Sequence, residues 1–304
     1  MKLKKPKFVF FGSAEFSVIV LTRLIKSGFS PSLIVTVPDK PAKRGLKLTA
    51  PAIKTWAKEN NVPCLQPNHL DSQDFINRLK KMNSELFIVA AYGKIIPKSN
   101  LVLPRYGSIN VHPSLLPKYR GPTPIQSAIL ADETETGVTL MLLDEEIDHG
   151  PILSSIKYQV SGPPAGRAGI KGYEEVEKDL AEIGGQLLAE TIPGWLAGEI
   201  KAIPQEHNKA TFTKKFGSVD AFIEPEIILG GETAKLAVSP PKAILAYRKV
   251  LALNPEPGTW SELAGKRVRI TEAILQDDKL LPVKVTPAGK RQMSWEEFKR
   301  GYHL

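Results

Sequence analysis

One cysteine, Cys64, is all that this chain of 304 residues contains. It therefore holds no internal disulfide and no thiolate metal cluster, which fits a reducing compartment. Aromatic residues make up 7% of the chain, and no aromatic-rich RNA-recognition signature interleaves with its basic residues. No apolar run approaches the length that spans a bilayer. The opening MKLKKPKFVFFG carries lysines but neither an apolar segment of secretory length nor a small-residue cleavage site. A soluble, cytoplasmic protein without a membrane partner is expected. After the first predicted strand the sequence reads Gly12-Ser13-Ala14-Glu15-Phe16 rather than G-x-G-x-x-G, so NAD binding has no support. No internal repeat or low-complexity tract is visible, and nothing in the sequence calls for an obligate protein partner.

What is present begins with charge. The net charge is +9, and it is unevenly spread. Residues 1–50 carry ten Lys/Arg against two acidic residues, and residues 209–304 carry 16 against 11. Those balances, +8 and +5, leave −4 for residues 51–208. Two basic ends around a mildly acidic centre point to a polyanion held from two sides, nucleic acid first among the candidates.

The hydrophobic pattern predicts alternating strands and helices. Phe8–Phe11 is a continuous apolar run closed by Gly12, as in a strand buried on both faces. A helix follows over 16–25, a strand over 33–37, a helix over 52–60 and a short strand at 63–65. Asp71 is the expected N-cap of a helix running through Lys81. Strands are predicted at 86–91, 107–112 and 137–143, with helices at 123–130 and 174–198. Strands separated by helices of this length give a Rossmann-like, doubly wound and mostly parallel α/β sheet. Short β-like runs at 267–270 and 281–285 predict a small C-terminal β-barrel, OB-like in class. The expected organisation is residues 1–200, a linker at 201–208, and 209–304.

The chemistry concentrates in Ser108–Gln126, SINVHPSLLPKYRGPTPIQ, and in the later LDEEIDHGPIL. Alternation along a strand sends Asn110 and His112 to one face at a strand end, where α/β sheets place their sites. Pro113 then ends the strand. An amide donor beside an imidazole, with the carboxylate of Asp148 at hand, suits the developing oxyanion of an acyl transfer. No nucleophile belongs to this set. Ser114 is near but no G-x-S-x-G elbow surrounds it, so direct transfer between two substrates is expected. The histidine and carboxylates lack the spacing of metal ligands on a helix, so no metal is expected.

The string N-V-H-x-S-L-L-P-x-x-R-G-x-x-P-I-Q with a downstream D-x-G resembles the signature of the folate-dependent formyltransferases. The resemblance implies 10-formyltetrahydrofolate as co-substrate and Asn110, His112 and Asp148 as the catalytic set. It implies a folate pocket around AAYGKIIP and the loop of Asp144, with Tyr92, Gly93, Ile95, Pro97, Ser114, Leu115, Leu116, Pro117 and Asp144 as its candidates. The segment PDKPAKRGLKLTAP at 38–51 reads as a long basic loop, and is similar to the insertion with which one branch of the family addresses the acceptor stem of methionyl initiator tRNA. Lys40, Lys43, Arg44 and Lys47 are then its tRNA contacts, Arg for base edges and Lys for phosphates. ALNPEPGTW and GKRQMSWEEFKRGY resemble the C-terminal barrel of the same branch, which implies a role in tRNA binding and in translation initiation. The Gly/Pro-rich 161–173 and the irregular 217–241 depart from that pattern. Pro151 after the D-x-G is more like glycinamide ribonucleotide formyltransferases. Two further readings stay open: a formyltransferase acting on a UDP-4-amino sugar, and a non-catalytic folate- or tRNA-binding homologue.

Overall fold

The computed structural model describes residues 5–42, 47–160, 171–230 and 240–304. The chain divides into two compact units. One comprises residues 1–122, 136–158 and 177–212, the other 123–135, 159–176 and 213–304.

The first unit is built on a seven-stranded sheet. Its strands are β1 (Phe8–Gly12), β2 (Leu33–Val35), β5 (Cys64–Leu65), β6 (Leu86–Ala90), β7 (Ser108–His112), β8 (Glu135–Leu142) and β9 (Ile152–Gln159), while β3 (Lys40–Ala42) and β4 (Lys47–Thr49) form a separate hairpin. The spatial order β5-β2-β1-β6-β7-β8-β9 reverses direction between β1 and β6, the switch point at which open α/β sheets leave a crevice. Pairing is parallel from β5 through β7, and β8 joins β7 antiparallel. The sheet is thus Rossmann-like and mostly parallel. Both faces of β1 and β6 are buried, which is why their sequences read as unbroken apolar runs rather than alternating ones.

Helices α1 (Glu15–Lys26), α2 (Ala52–Glu59), α3 (Gln73–Met82), α4 (Lys98–Leu101) and most of α6 (Tyr173–Leu196) complete this unit. On one side of the sheet Val9, Phe11, Val35, Phe87 and Val89 pack with Phe75 and Leu79 of α3. The cap of α3 corrects the sequence expectation. Ser72, not Asp71, is the N-cap, and its hydroxyl accepts from the Phe75 amide at 3.4 Å. A cap side chain reaches the amide three residues on, and Asp71 lies one residue too early. Within the basic segment at 38–51, residues 40–42 and 47–49 are also strand rather than loop. Pro41 pairs with Leu48 and Lys40 with Thr49 in the β3–β4 hairpin.

The second unit contains α5 (Pro124–Leu130), α7 (Pro225–Leu229), α8 (Pro240–Leu253), strands β10 (Trp260–Leu263), β11 (Lys266–Gln276), β12 (Lys279–Pro287) and β13 (Met293–Ser294), and α9 (Trp295–Tyr302). Its four strands form an antiparallel sheet in sequence order, with the register shifting about Glu272 in β11. Ile228, Val250, Val268, Ile270, Val285 and Phe298 form its core. Residues 217–241, irregular in sequence, include α7 and the first residues of α8. At α9 a capping box closes the first turn, Ser294 accepting from the Glu297 amide while Glu297 accepts from the Ser294 amide. Those bonds hold the Glu297 carboxyl below its ordinary value.

Candidate active site

His112 is the last residue of β7 and Asn110 lies two before it, so the pleat sends both side chains to one face. They converge on a single atom. Asn110 Nδ2 lies 3.5 Å from Asp148 Oδ1, and His112 Nδ1 lies 3.6 Å from the same oxygen. The other carboxylate oxygen, Oδ2, accepts from the Gly121 amide at 2.7 Å. The backbone therefore holds the carboxylate, and the amide and imidazole face it at longer range. The remaining imidazole nitrogen, Nε2, lies 3.0 Å from the Tyr119 carbonyl. A carbonyl only accepts, so Nε2 carries a proton. His112 is 4% exposed.

Asp148 occupies the left-handed region at φ +47°, an uncommon conformation for a residue with a side chain. The turn after it is tight. A Cβ at Gly150 would stand 1.9 Å from the Leu142 carbonyl oxygen, so only glycine lets the D-x-G turn lie this close to the end of β8. Gln205 spans the turn, its Nε2 donating to the carbonyls of Asp148 at 2.9 Å and Gly150 at 2.8 Å.

The remaining expected residues fall into distinct places. Gly93 has φ +80° with open space where a Cβ would be, Ile95 is 75% exposed, and Pro97 is the N-cap of α4. These three lie on the loop that leaves β6 at the switch point. Tyr92 does not join them. Its ring packs at 5.5 Å, edge-on, against Phe11 in the core, and its carbonyl accepts from Ser13 Oγ. Burial pushes its phenol up to about 12. Ser114 is buried, and its hydroxyl donates to the Lys118 carbonyl, so it is spent on its own turn. The Leu116 amide donates to Thr139 Oγ1 of β8, Leu115 lies against Gly137, and Leu116 and Pro117 are joined by a cis peptide. Asp144 shapes its own loop, accepting from the Glu146 amide at 3.0 Å and pairing with His149 Nδ1 at 2.7 Å. Lys98, at the start of α4, forms an ion pair with Glu145.

Lys40 is exposed on β3, and Lys47 lies on β4. Lys43 and Arg44 lie outside the described residues. The base of this hairpin is tied down at Asp39, whose carboxylate accepts from Lys54 at 2.8 Å and from Gln66 at 2.7 Å. The Gln66 hydrogen bond, then that of Lys54, holds the Asp39 carboxyl below its ordinary value.

Several residues at the site are silent in the sequence reading. Ile147, 58% exposed, is a second uncovered apolar side chain beside Asp148. Arg120 and Gly121 lie within the quoted motif but carry no assigned role there. Gln205, His149 and His207 have no local signal at all. Among the described residues no group of three or more His, Cys, Asp and Glu side chains could hold a metal ion, and no helix is long and apolar enough to cross a membrane.

Known proteins resemble this chain over nearly its whole length. The family model described as formyl transferase matches residues 6–165, just over half of the chain. A methionyl-tRNA formyltransferase of Chloroflexus aurantiacus is 36% identical over 322 residues, covering 98% of this chain and 97% of its own length. Among solved structures, HypX of Aquifex aeolicus in complex with tetrahydrofolic acid superposes with a TM-score of 0.67 at 15% identity. That match covers 98% of this chain and 48% of HypX, so the chain spans about half of that neighbour's length. Methionyl-tRNA formyltransferase from Clostridium thermocellum superposes with a TM-score of 0.56 at 16% identity, over 93% of this chain and 98% of that one. At such identities the structural likenesses speak for the fold alone. The family model and the full-length relative carry the assignment, and the chain belongs to the formyl transferase family.

Proposed function

We propose that this chain transfers the formyl group of 10-formyltetrahydrofolate to the α-amino group of methionyl initiator tRNA. The observation that carries the chemistry is the convergence of Asn110 and His112 on Asp148 Oδ1 at the end of β7. The acceptor is read from the full-length likeness to a methionyl-tRNA formyltransferase. The folate supplies an activated formyl group. Exposed Ile95 and Ile147, with the open backbone at Gly93, suit the flat apolar body of such a co-substrate. Gly93, Ile95, Pro97, Leu115, Leu116 and Pro117 are proposed to line its site.

In this reading the free amine attacks the formyl carbon and the carbonyl oxygen gains negative charge. The side chain of Asn110 donates to that oxygen. The Nε2–H of His112, which here meets the Tyr119 carbonyl, is the second donor the oxyanion competes for. A second proton on Nδ1, facing Asp148, makes this a charge-assisted bond. Asp148 then receives the proton shed by the attacking nitrogen and delivers it to the folate nitrogen as the bond from carbon to that nitrogen breaks. Oriented donors of this kind in a buried site are worth more than in water.

Residues 1–200 are proposed to carry this chemistry, and residues 209–304, joined through 201–208, to hold the tRNA. The basic segment at 38–51, with Lys40, Lys43, Arg44 and Lys47, would meet the acceptor stem. Replacing Asn110, His112 or Asp148 by alanine should lower turnover on the order of 100-fold or more while leaving the far-ultraviolet circular dichroism unchanged. Near-normal turnover in any of the three would remove that residue from the mechanism.

A further inference from the structure

We infer that Gln205, oriented by Arg120, is a positioning residue for Asp148. The inference rests on the formyl-transfer reading, and deepens it by naming what holds the carboxylate in place. The Gln205 side chain is 5% exposed and Arg120 is 3% exposed. Arg120 donates from Nε and Nη2 to Gln205 Oε1 at 3.2 and 2.7 Å. Arginine has only donors, so the amide oxygen must face it. That choice turns both N–H bonds of Nε2 away from Arg120, and they meet the carbonyls of Asp148 and Gly150. One side chain thus clamps both ends of a three-residue turn whose first residue sits at φ +47°.

The neighbouring Gly121 completes the arrangement. Its amide donates to Asp148 Oδ2, while Arg120 holds the Asp148 carbonyl through Gln205. The adjacent pair Arg120-Gly121 therefore fixes Asp148 from two directions, side chain and main chain. Without the clamp the left-handed backbone at Asp148, an uncommon conformation for a residue with a side chain, has fewer restraints against relaxing. Relaxation would swing Oδ1 away from Asn110 and His112, which already stand at the long limit of contact.

A second line of contacts ties the same loop to the same segment. Arg120 Nη2 lies 2.9 Å from His207 Nδ1, which must accept because arginine cannot. His207 stacks on His149 with centroids 4.1 Å apart and planes within 8°, and His149 pairs with Asp144. The segment from Gln205 to His207 therefore grips the end of the Asp144–Gly150 loop at three successive residues, and His149 ties that end back to Asp144.

Two substitutions separate the halves of the clamp. Gln205→Glu keeps an acceptor for Arg120 but removes the donors to the Asp148 and Gly150 carbonyls. Gln205→Met removes both. If positioning of Asp148 is the role, both lower kcat on the order of 100-fold, with KM for folate and for tRNA little changed. The effects must also run through Asp148, so Gln205→Met added to Asp148→Asn should cost little beyond Asp148→Asn alone. Full activity in Gln205→Glu, or losses that multiply in the double variant, would overturn the inference. Hydrogen exchange of the Gly121 amide tests the same clamp without any substrate, so its result stands even if the proposed acceptor is wrong. Faster exchange of that proton in Gln205→Met than in the wild type supports the clamp, and unchanged exchange contradicts it.

Discussion

Asp148 meets four groups that lie far from it in sequence: Asn110, His112, the Gly121 amide and Gln205. Two of these are legible in the amino-acid sequence because strand alternation is a local rule, and an N-x-H at a strand end needs no knowledge of the rest of the chain. Gln205 is not, because 57 residues separate it from Asp148 and only the closed sheet brings them together. Tyr92 shows the converse. Its position beside Gly93 suggests a pocket residue, yet alternation past the end of β6 turns its ring into the core. The Tyr92 hydroxyl is buried and finds no hydrogen-bond partner among the described residues. A buried unpaired hydroxyl costs about 1–3 kcal/mol, so Tyr92→Phe should raise the midpoint of thermal unfolding. A lower midpoint would mean that the hydroxyl has a partner.

At the scale of elements, the tight turn at Gly150 and the hairpin at 40–49 make separate demands. A methyl group at position 150 cannot fit against the Leu142 carbonyl without moving the backbone that carries Asp148. Gly150→Ala should therefore lower kcat on the order of 100-fold and destabilise the fold by about 1–3 kcal/mol, read by turnover and thermal unfolding. Normal turnover would show that the turn tolerates displacement. The hairpin depends on Asp39 at its base. Contacts with Gln66 and Lys54 favour the ionised carboxylate, so the tether is present above its ordinary value of 3.8 and is lost as pH falls below it. It is constant across the neutral range. Asp39→Asn should raise KM for tRNA by about 2- to 5-fold, as expected for a partly exposed pair near the surface, and leave KM for folate alone. Equal changes in both would point to a general loss of structure.

These elements also show how far periodicity carries. The runs at Phe8–Gly12 and Leu86–Ala90 are read correctly because strands buried on both faces leave no polar positions. The β3–β4 pair is missed because three-residue strands with proline and lysine carry no period-two signal. Helix α7 escapes for a related reason: five residues carry too little of a helical period to be read.

Across the whole molecule, charge and relatedness bear on the acceptor. The basic ends, +8 over residues 1–50 and +5 over 209–304, suit a polyanion far better than a sugar nucleotide. The chemistry of the site fits either acceptor, since both offer an amine to the same formyl carbon. The sheet and its strand-end site follow from sequence pattern. The choice of acceptor does not, because it is made by surfaces rather than by periodic core positions. Formyl transfer from 10-formyltetrahydrofolate, measured side by side with methionyl initiator tRNA, methionyl elongator tRNA and a UDP-4-amino sugar, tests that choice directly. The account predicts strong preference for the initiator tRNA, whereas turnover of the sugar nucleotide alone, or of none of the three, would contradict it.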